Sequence, residues 1–198
     1  RADLRDGQWT SARSQLQAMS ANRDGGAVVD LVLADLEVFE GQLDAAQARL
    51  ASTWQRTQDP RSAARRAELL MALDRSAEAR TWLDTTRATA PHAVELLLAD
   101  GDWHRLQGNG DAALAVYREA VSRAQGDTQR AAAHWALGRA LQERGDLRAA
   151  RAALAQAVAL APDNASYRGE QATAATEALQ LAEARAGVDA ALTRAGDA

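Results

Sequence analysis

One arrangement of small residues, leucines and turn formers recurs along this chain, and it limits the folds that the chain can adopt. The clearest copy covers residues 131–164, with Leu137, Gly138, Gly145, Ala150, Leu154, Ala157 and Pro162 as its marker residues. Copies begin near residues 27, 60, 94, 131 and 165, which gives a spacing of 33 to 37 residues. Self-similarity at such a period is typical of folds that stack one repeated supersecondary unit.

Each copy predicts two amphipathic helices joined by a tight turn. In residues 131–164, apolar residues recur at three- and four-residue spacing on both sides of Gly145, which is the helical period. Glycine permits the turn, Asp146 can cap the second helix, and Pro162 cannot continue it. One hairpin buries only part of its apolar face, so neighbouring hairpins must stack. We predict an all-α fold of twelve helical segments, in which a turn at Gly7 follows an initial stub.

The pattern resembles the tetratricopeptide repeat family over essentially the whole chain. The residues that match the family's small, large and closing positions best are Gly138, Ala150, Leu154, Ala157 and Pro162. The resemblance implies a right-handed α-solenoid of stacked antiparallel helix hairpins. It divides the chain into a partial unit 1–26 and units 27–59, 60–93, 94–130, 131–164 and 165–198.

The chain departs from the family pattern in three places. The tryptophan usual early in the first helix is replaced by Asp30, Ala63, Leu97 and His134. The stretch SRAQGDTQRA adds three residues, so its loop or the helix after it should be longer than usual. In the last unit, EALQLAEARAG stands where a glycine turn belongs. The two helices there are either joined tightly or fused into one.

Composition excludes several classes of function. The chain has 23 basic and 27 acidic residues and a net charge of -4, which argues against a nucleic-acid binder. All the basic residues are arginine, which indicates a GC-rich bacterial genome. Cysteine is absent, which excludes disulfides and thiol catalysis. No apolar run approaches the roughly 18 residues of a membrane-spanning helix. Because the chain opens on RADLRDG, with neither Met nor a signal-like segment, we expect a segment of a longer protein.

No group of residues predicts catalysis, a metal site or a cofactor site. Asp100, Asp102 and His104 are the closest to a metal-binding cluster. On a helix, however, Asp100 and His104 share a face that Asp102 does not, and two ligands are too few for a closed site. The preferred interpretation is either a local contact between Asp100 and His104 or solvated side chains. His92 falls in a loop, and His134 is interpreted as a buried or half-buried structural residue.

The tryptophans divide into two groups. Trp9, Trp54 and Trp82 lie on second helices and are expected to fill gaps between alanine-rich helices. Trp135 lies in a first helix, at a place that commonly faces the concave groove in proteins of the resembled family. Tryptophan is enriched in binding hot spots, so Trp135 is a candidate binding residue.

The same face of successive first helices predicts a docking surface. Asp35, Glu68 and Asp102 occupy equivalent places in three units and form a short acidic stripe with apolar flanks. The candidate binding residues are Asp35, Glu68, Asp102, Arg105, Trp135 and Arg139. Such a surface suits an extended or helical segment that carries basic and apolar groups. The alternative is a concave face that is merely solvated.

The resemblance implies a non-enzymatic scaffold that binds a peptide or protein segment in its groove. One alternative is a periplasmic or envelope-biogenesis scaffold, for example in exopolysaccharide export or outer-membrane assembly. Another is a ligand- or peptide-sensing region of a larger regulator. The terminal units expose apolar faces that arrays usually cover with capping helices, so self-association through them is also expected. We expect a soluble protein of the bacterial cytoplasm or periplasm, with no nucleic-acid partner and no direct membrane insertion.

Overall fold

A computed structural model describes the backbone of residues 2–22 and 26–196, and the side chains of residues 11–22 and 26–186. Within these ranges the chain forms ten helices and no strand. The helices are α1 (Ala2–Ala21), α2 (Gly26–Phe39), α3 (Leu43–Thr57), α4 (Pro60–Ala72), α5 (Ser76–Thr89), α6 (Val94–Leu106), α7 (Gly110–Arg123), α8 (Gly126–Glu143), α9 (Leu147–Leu160) and α10 (Ala165–Gly196).

The chain divides into two compact bodies, Arg1–Ala99 and Asp100–Ala198. In the N-terminal body, α1 packs on α2, α2 on α3, α3 on α4 and α4 on α5. In the C-terminal body, α7 packs on α8, α8 on α9, and α10 on both α9 and α8. Short connections make consecutive helices antiparallel neighbours. The predicted all-α fold of stacked helical hairpins is confirmed.

Small residues at fixed positions bring the helices of each hairpin close together. In the N-terminal body, Ala34 and Ala46 are fully buried beside Leu50 and Leu69. In the C-terminal body, a Cβ atom added to Gly138 would lie 2.7 Å from Cγ of Leu154 and 3.3 Å from the carbonyl oxygen of Ala150. The two helices of this hairpin therefore approach each other closely at Gly138. Packing of this density leaves no room for a larger residue at these positions.

Four hairpin turns each place one residue in the left-handed region of backbone conformation. These residues are Gly41 (φ 76°), Asp74 (φ 58°), Gly108 (φ 75°) and Gly145 (φ 83°). Glycine adopts this conformation without steric cost, and aspartate is among the few other residues that tolerate it. After the turn at Gly145, the carboxylate of Asp146 accepts a hydrogen bond of 3.1 Å from the backbone N–H of Ala149. The predicted turn and cap of this hairpin are therefore confirmed.

The last repeat contains a single long helix. α10 runs from Ala165 to Gly196 without interruption, which answers the alternative left open by the sequence. The position equivalent to Gly145 is occupied by Leu179. A non-glycine residue in the left-handed region costs about 1–2 kcal/mol. The surrounding Ala, Leu, Glu and Gln residues are strong helix formers, so continuation of the helix is favoured over a turn.

The expectation of twelve helical segments is wrong at both ends of the chain. Besides the fused α10, α1 extends through Gly7 from Ala2 to Ala21, so the predicted turn there does not form. A stub of six residues would have fewer than two helical turns, which is too short to pack back on the helix after it. The three extra residues upstream of residue 131 lengthen a helix, since α8 has 18 residues where α6 has 13.

Candidate functional site

An arginine that the sequence did not single out connects the first two acidic residues of the predicted stripe. Asp35 lies on α2, Glu68 lies on α4, and Arg65 reaches both carboxylates. Its Nη2 atom is 2.8 Å from Oδ1 of Asp35, and its Nη1 atom is 3.2 Å from Oε2 of Glu68. Burial acts to lower the pKa of Arg65, but hydrogen bonds with the two carboxylates raise it overall. The side chains of Asp35 and Glu68 remain 58% and 45% exposed, so solvent or a ligand can still reach them.

Arg61 stabilises the N-terminus of its own helix, α4. Asp59 is the N-cap of α4 and accepts a hydrogen bond from the backbone N–H of Arg61. The Arg61 guanidinium also bonds the Asp59 carboxylate, with Nη2 2.6 Å from Oδ2. These hydrogen bonds from Arg61 hold the pKa of Asp59 below its ordinary value. Arg61 therefore holds the N-cap residue Asp59 in place in this structure.

The third acidic residue of the stripe is engaged by the core of the C-terminal body. Asp102 on α6 accepts a 2.8 Å hydrogen bond from the hydroxyl of Tyr117 on α7. Tyr117 is fully buried, and its ring occupies the space left by Gly101. Burial and the nearby Asp102 carboxylate raise the pKa of Tyr117. Asp102 therefore stabilises the α6–α7 hairpin.

Arg105 extends this cluster toward the next hairpin. Its Nε atom lies 3.4 Å from Oδ1 of Asp102, and its Nη1 atom lies 3.0 Å from Oε1 of Glu143 at the end of α8. Burial acts to lower the pKa of Arg105, whereas Glu143 and Asp102 raise it overall. The structure thus brings Asp102 and Arg105 together, as their spacing of three residues on a helix requires.

Trp135 and Arg139 form an aromatic and cationic cluster with the start of α10. The ring of Trp135 lies 5.6 Å from the ring of Tyr167, and the planes are inclined by 36°. The Arg139 guanidinium lies 4.8 Å from the Trp135 ring centroid, which is the geometry of a cation–π contact. The Nε atom of Arg139 is also 3.6 Å from Oε1 of Glu170. We call Trp135, Arg139, Tyr167 and Glu170 the aromatic cluster.

A buried ionic cluster in the N-terminal body was missed by the sequence analysis. Asp30 and Glu37 on α2 are only 4% and 6% exposed. Arg49 on α3 binds both, with Nη2 2.6 Å from Oε1 of Glu37 and Nη1 3.5 Å from Oδ1 of Asp30. Arg56 also pairs with Asp30. The only signal in the sequence is the presence of three acids within the apolar run AVVDLVLADLEVF, of which Asp30 and Glu37 are buried and Asp35 is exposed. Buried acids require partners, so the cluster is a feature of the helix packing.

Asp100, Asp102 and His104, which the sequence analysis considered as metal ligands, make separate contacts in the structure. Nε2 of His104 lies 3.9 Å from Oδ1 of Asp100, which is the local contact expected from the sequence. Asp102 is directed to Tyr117 instead. Among the described residues, no group of three or more His, Asp or Glu side chains could hold a metal ion. His92 is exposed and His134 is half-buried, and burial lowers the pKa of His134.

The tryptophans on second helices differ in their surroundings. Trp54 is 6% exposed and belongs to the core, as predicted. Trp82 is only half-buried; its indole N–H donates a 2.9 Å hydrogen bond to the carbonyl of Ala63. The Arg66 guanidinium lies 4.1 Å above its ring. The prediction for Trp9 concerns a side chain outside the described residues.

These bodies, built of antiparallel helix pairs with small residues at each close contact, define a helical-repeat protein. Residues 104–174 match the family model described as tetratricopeptide repeat. No curated protein matches the chain. The chain is therefore similar to tetratricopeptide-repeat proteins over residues 104–174 of its C-terminal body.

Solved structures of low sequence identity share the fold. A thermophilic tetratricopeptide-repeat protein from Thermus thermophilus is 21% identical, with a TM-score of 0.69 over 86% of this chain and 92% of the other. The APC/C hetero-tetramer Cut9-Hcn1 is 18% identical, with a TM-score of 0.69 over 88% of this chain; this chain spans only 34% of that one. PilF of Pseudomonas aeruginosa is 15% identical, with a TM-score of 0.62 over 90% of this chain and 76% of the other.

In the part of the chain that the structure describes, no helix combines the length and the apolar composition needed to cross a bilayer.

Proposed function

We propose that this protein is a non-enzymatic scaffold that binds a protein segment through the first helices of its hairpins. The observation that carries this proposal is the aromatic cluster. Trp, Tyr and Arg are the residue types enriched in binding hot spots, and here they are stacked together on α8 and α10 at half-buried positions. A half-buried aromatic surface offers a large contact area at a low cost in conformational entropy.

The charges of the N-terminal body support a preference for basic segments. Asp35 and Glu68 carry two negative charges, and Arg65 supplies one positive charge between them. Arg65 fixes the positions of both carboxylates while leaving them exposed, so a basic side chain meets acceptors that are already ordered. Ordering before binding lowers the entropic cost of association. The N-terminal body is therefore proposed to bind basic groups, and the C-terminal body apolar or aromatic ones.

Asp102 and Arg105 are expected to contribute less to ligand binding than Trp135 and Arg139. Asp102 accepts the hydroxyl of the buried Tyr117, and Arg105 pairs with Glu143. A ligand that bound either residue would have to displace a contact within the protein. We propose Asp35 and Glu68 as the main binding residues of the N-terminal body, and Trp135 and Arg139 as those of the C-terminal body.

A panel of fluorescein-labelled peptides that combine Arg with Leu or Phe, and the same panel with Glu in place of Arg, tests the proposal by fluorescence anisotropy. Trp135→Leu should weaken binding of the best basic peptide by about tenfold or more, as expected for a hot-spot residue. The matched control is Trp82→Leu, because Trp82 is also half-buried under an arginine but lies on a second helix. Equal losses for both variants would contradict the proposal, and so would a panel in which no peptide binds.

The acidic pair has its own matched control. Asp35→Asn should weaken the basic peptides and leave the acidic ones unaffected. Asp84→Asn removes a carboxylate that is similarly ion-paired, to Arg80, and exposed, but on the second helix α5. If Asp84→Asn has the same effect as Asp35→Asn, general charge attraction rather than the proposed surface accounts for binding.

A second candidate is a scaffold for assembly of the cell envelope. It is favoured by the similar fold of PilF and of PilW, the latter described as a widely conserved type IV pilus biogenesis factor and 19% identical to this chain. Fractionation of the native organism tests this candidate. Recovery of the full-length protein with envelope assembly complexes would support it, and recovery only in cytosolic fractions would contradict it.

A further inference from the structure

The four hairpins share one pattern of burial. A small residue on the first helix and a large residue on the second lie 16 positions apart, and both are buried. In the two hairpins of the C-terminal body, the large side chain lies directly against the small residue. The pairs are Ala34 with Leu50, Ala67 with Leu83, Gly101 with Tyr117, and Gly138 with Leu154. The small-residue face of a first helix is therefore the surface on which a second helix packs.

In the part of the chain that the structure describes, no helix covers the equivalent face of α10. Ala172 occupies the position of Gly138, and Ala175 occupies the position of Leu141. Both alanines are exposed, whereas Gly138 and Leu141 are buried. The cause is that α10 continues through Leu179, at the place where the hairpins turn. The face that receives a second helix in the other repeats is thus open to solvent here.

The open face forms one wall of a groove of ≈ 600 Å³ between α9 and α10. On α9 the groove is lined by residues at positions i, i+3, i+4 and i+7, from Arg148 to Ala155, and on α10 by residues with the same spacing, from Arg168 to Ala175. Residues with this spacing lie on one face of a helix. Seven residues span two helical turns, or about 10.5 Å. The groove is therefore long enough to receive two turns of another helix.

The groove is basic, although the chain as a whole is acidic. Arg148, Arg151 and Arg168 line it together with alanines and one glutamine, and no acidic residue does. The net charge of the chain is -4. Within the described residues, the guanidinium groups of these three arginines have no hydrogen bond or ion pair. Acidic side chains on a ligand would complement this charge.

We infer that the α9–α10 groove binds an acidic amphipathic helix of another protein. The incoming helix takes the place that a second helix has in the other repeats, with a large apolar residue against Ala172 and acidic residues toward the three arginines. Recognition of a helix in a groove depends on such apolar anchors along one face. The inference goes beyond the proposed function, because the groove is lined by residues other than those of the aromatic cluster. It also selects the charge opposite to that expected at Asp35 and Glu68.

Two labelled peptides with the packing face of α9 test the charge of the ligand. The acidic peptide has the sequence of residues 146–160 with Arg148→Glu and Arg151→Glu, and the unchanged sequence is its basic counterpart. Both keep Leu154, the large residue that packs on the first helix in the α8–α9 hairpin. In fluorescence anisotropy with the full chain, the acidic peptide should bind about tenfold more tightly than the basic one, because like charges repel in the groove.

A third peptide separates helix binding from general attraction between opposite charges. It has the composition of the acidic peptide in a shuffled order that removes the apolar stripe. At about 0.15 M salt, where exposed charges are largely screened beyond about 8 Å, it should bind as weakly as the basic peptide.

Variants of the protein locate the binding site. Ala172→Trp fills the groove and should weaken binding of the acidic peptide by about tenfold or more, because the incoming helix then lacks its small-residue contact. Ala184→Trp is the matched control. Ala184 is also exposed on α10, but it lies nine residues after Ala175 and so on the opposite face of the helix. This control should bind the peptide as the unchanged protein does.

A charge reversal tests the basic lining of the groove. Arg151→Glu should weaken binding of the acidic peptide by about tenfold and strengthen binding of the basic peptide, because it reverses one charge of the groove. Arg118→Glu reverses an arginine that is exposed on α7 and does not line the groove. It should leave both affinities unchanged. Circular dichroism confirms that each variant is folded.

Three results would overturn the inference. The first is that the acidic peptide does not bind, or that the shuffled peptide binds equally tightly. The second is that Ala172→Trp and Ala184→Trp have equal effects, which would locate binding elsewhere. The third is self-association of the unchanged protein, in sedimentation equilibrium from about 1 to 100 µM, that Ala172→Trp abolishes. A second copy of the chain would then occupy the groove.

The two binding proposals fail independently of each other. Trp135→Leu, which tests the proposed function, should leave binding of the acidic peptide unchanged. Ala172→Trp should leave binding of the best peptide with Arg and Leu or Phe unchanged. Loss of one activity alone therefore identifies which proposal is wrong.

Discussion

The α8–α9 hairpin and the long helix α10 share one sequence pattern and differ in shape. Both have a small residue followed 16 positions later by a large apolar one, Gly138 and Leu154 in the hairpin and Ala172 and Val188 in α10. The hairpin turns at Gly145, with φ 83°. α10 has Leu179 at that place and continues. A repeat pattern therefore specifies which helical faces are apolar, whereas the turn residue decides whether these faces meet within one chain.

The largest expected effect comes from the apolar contact that only the hairpin makes. Leu154 is fully buried against Gly138, so Leu154→Ala should lower the free energy of unfolding by about 2–5 kcal/mol through cavity formation. Leu179 on α10 is exposed. Leu179→Ala should change the free energy by less than about 0.5 kcal/mol in dilute solution. Urea unfolding followed by circular dichroism measures both, and similar losses would break the comparison.

A pair of glycine variants separates backbone conformation from crowding. Neither Gly145 nor Gly169 has an atom within 4 Å of an added Cβ, but Gly145 is left-handed and Gly169 is helical. Gly145→Leu should destabilise the protein by about 1–2 kcal/mol. Gly169→Leu should stabilise it by up to about 1 kcal/mol, because leucine is the better helix former. Thermal unfolding should show the two midpoints moving in opposite directions.

The helix cap after the turn gives a smaller difference. Asp146→Ala removes the hydrogen bond that the carboxylate accepts from Ala149, at a cost of about 1 kcal/mol. Gln180, the equivalent residue of α10, lies in the middle of a helix where no cap is needed. Gln180→Ala should be neutral. Hydrogen exchange of the α9 amide groups should become faster in the first variant alone.

The smallest expected effect is a pH dependence confined to the hairpin. Burial lowers the pKa of His134 in the folded chain, so the folded state favours the neutral ring. The contribution of His134 to stability is therefore retained above its unfolded pKa of about 6.5 and is lost as the pH falls toward the folded value. Arg168 holds the equivalent position of α10 and does not titrate in this range. Between pH 7.5 and 5.5, His134→Asn should lose less stability than the wild type; an equal loss would exclude this role of His134.

The features predicted correctly from the sequence are those that depend on neighbours along the chain or on the repeat. The turn at Gly145 and the cap at Asp146 are local, and the assignment of Gly138 to a small position and Leu154 to a large one follows from the repeat. The turn expected at Gly7 is wrong, because a matching glycine does not by itself create a helix long enough to pack on its neighbour. Fusion of the last repeat was one of two alternatives left open.

The candidate surfaces were less predictable, since they depend on how far long side chains reach between helices. Arg65 lies three residues from Glu68, but its contact with Asp35 spans 30 positions in the sequence. The pairing of Arg49 with Glu37 likewise requires the rotation of α3 against α2. Sequence patterns indicate the face of the helix on which an arginine lies, but they do not determine with which of several nearby acids it pairs.

The hydrogen bond between Tyr117 and Asp102 links a partly exposed carboxylate on α6 to the packing of α6 against α7. A cation that approaches Asp102 from solvent competes for the oxygen atom that accepts the tyrosine hydroxyl. A buried hydroxyl that loses its acceptor lowers the free energy of unfolding by about 1–3 kcal/mol. Tight binding of a cation at Asp102 would therefore weaken the packing of α6 against α7. Binding at the surface and the stability of the α6–α7 hairpin are therefore expected to be coupled through Asp102.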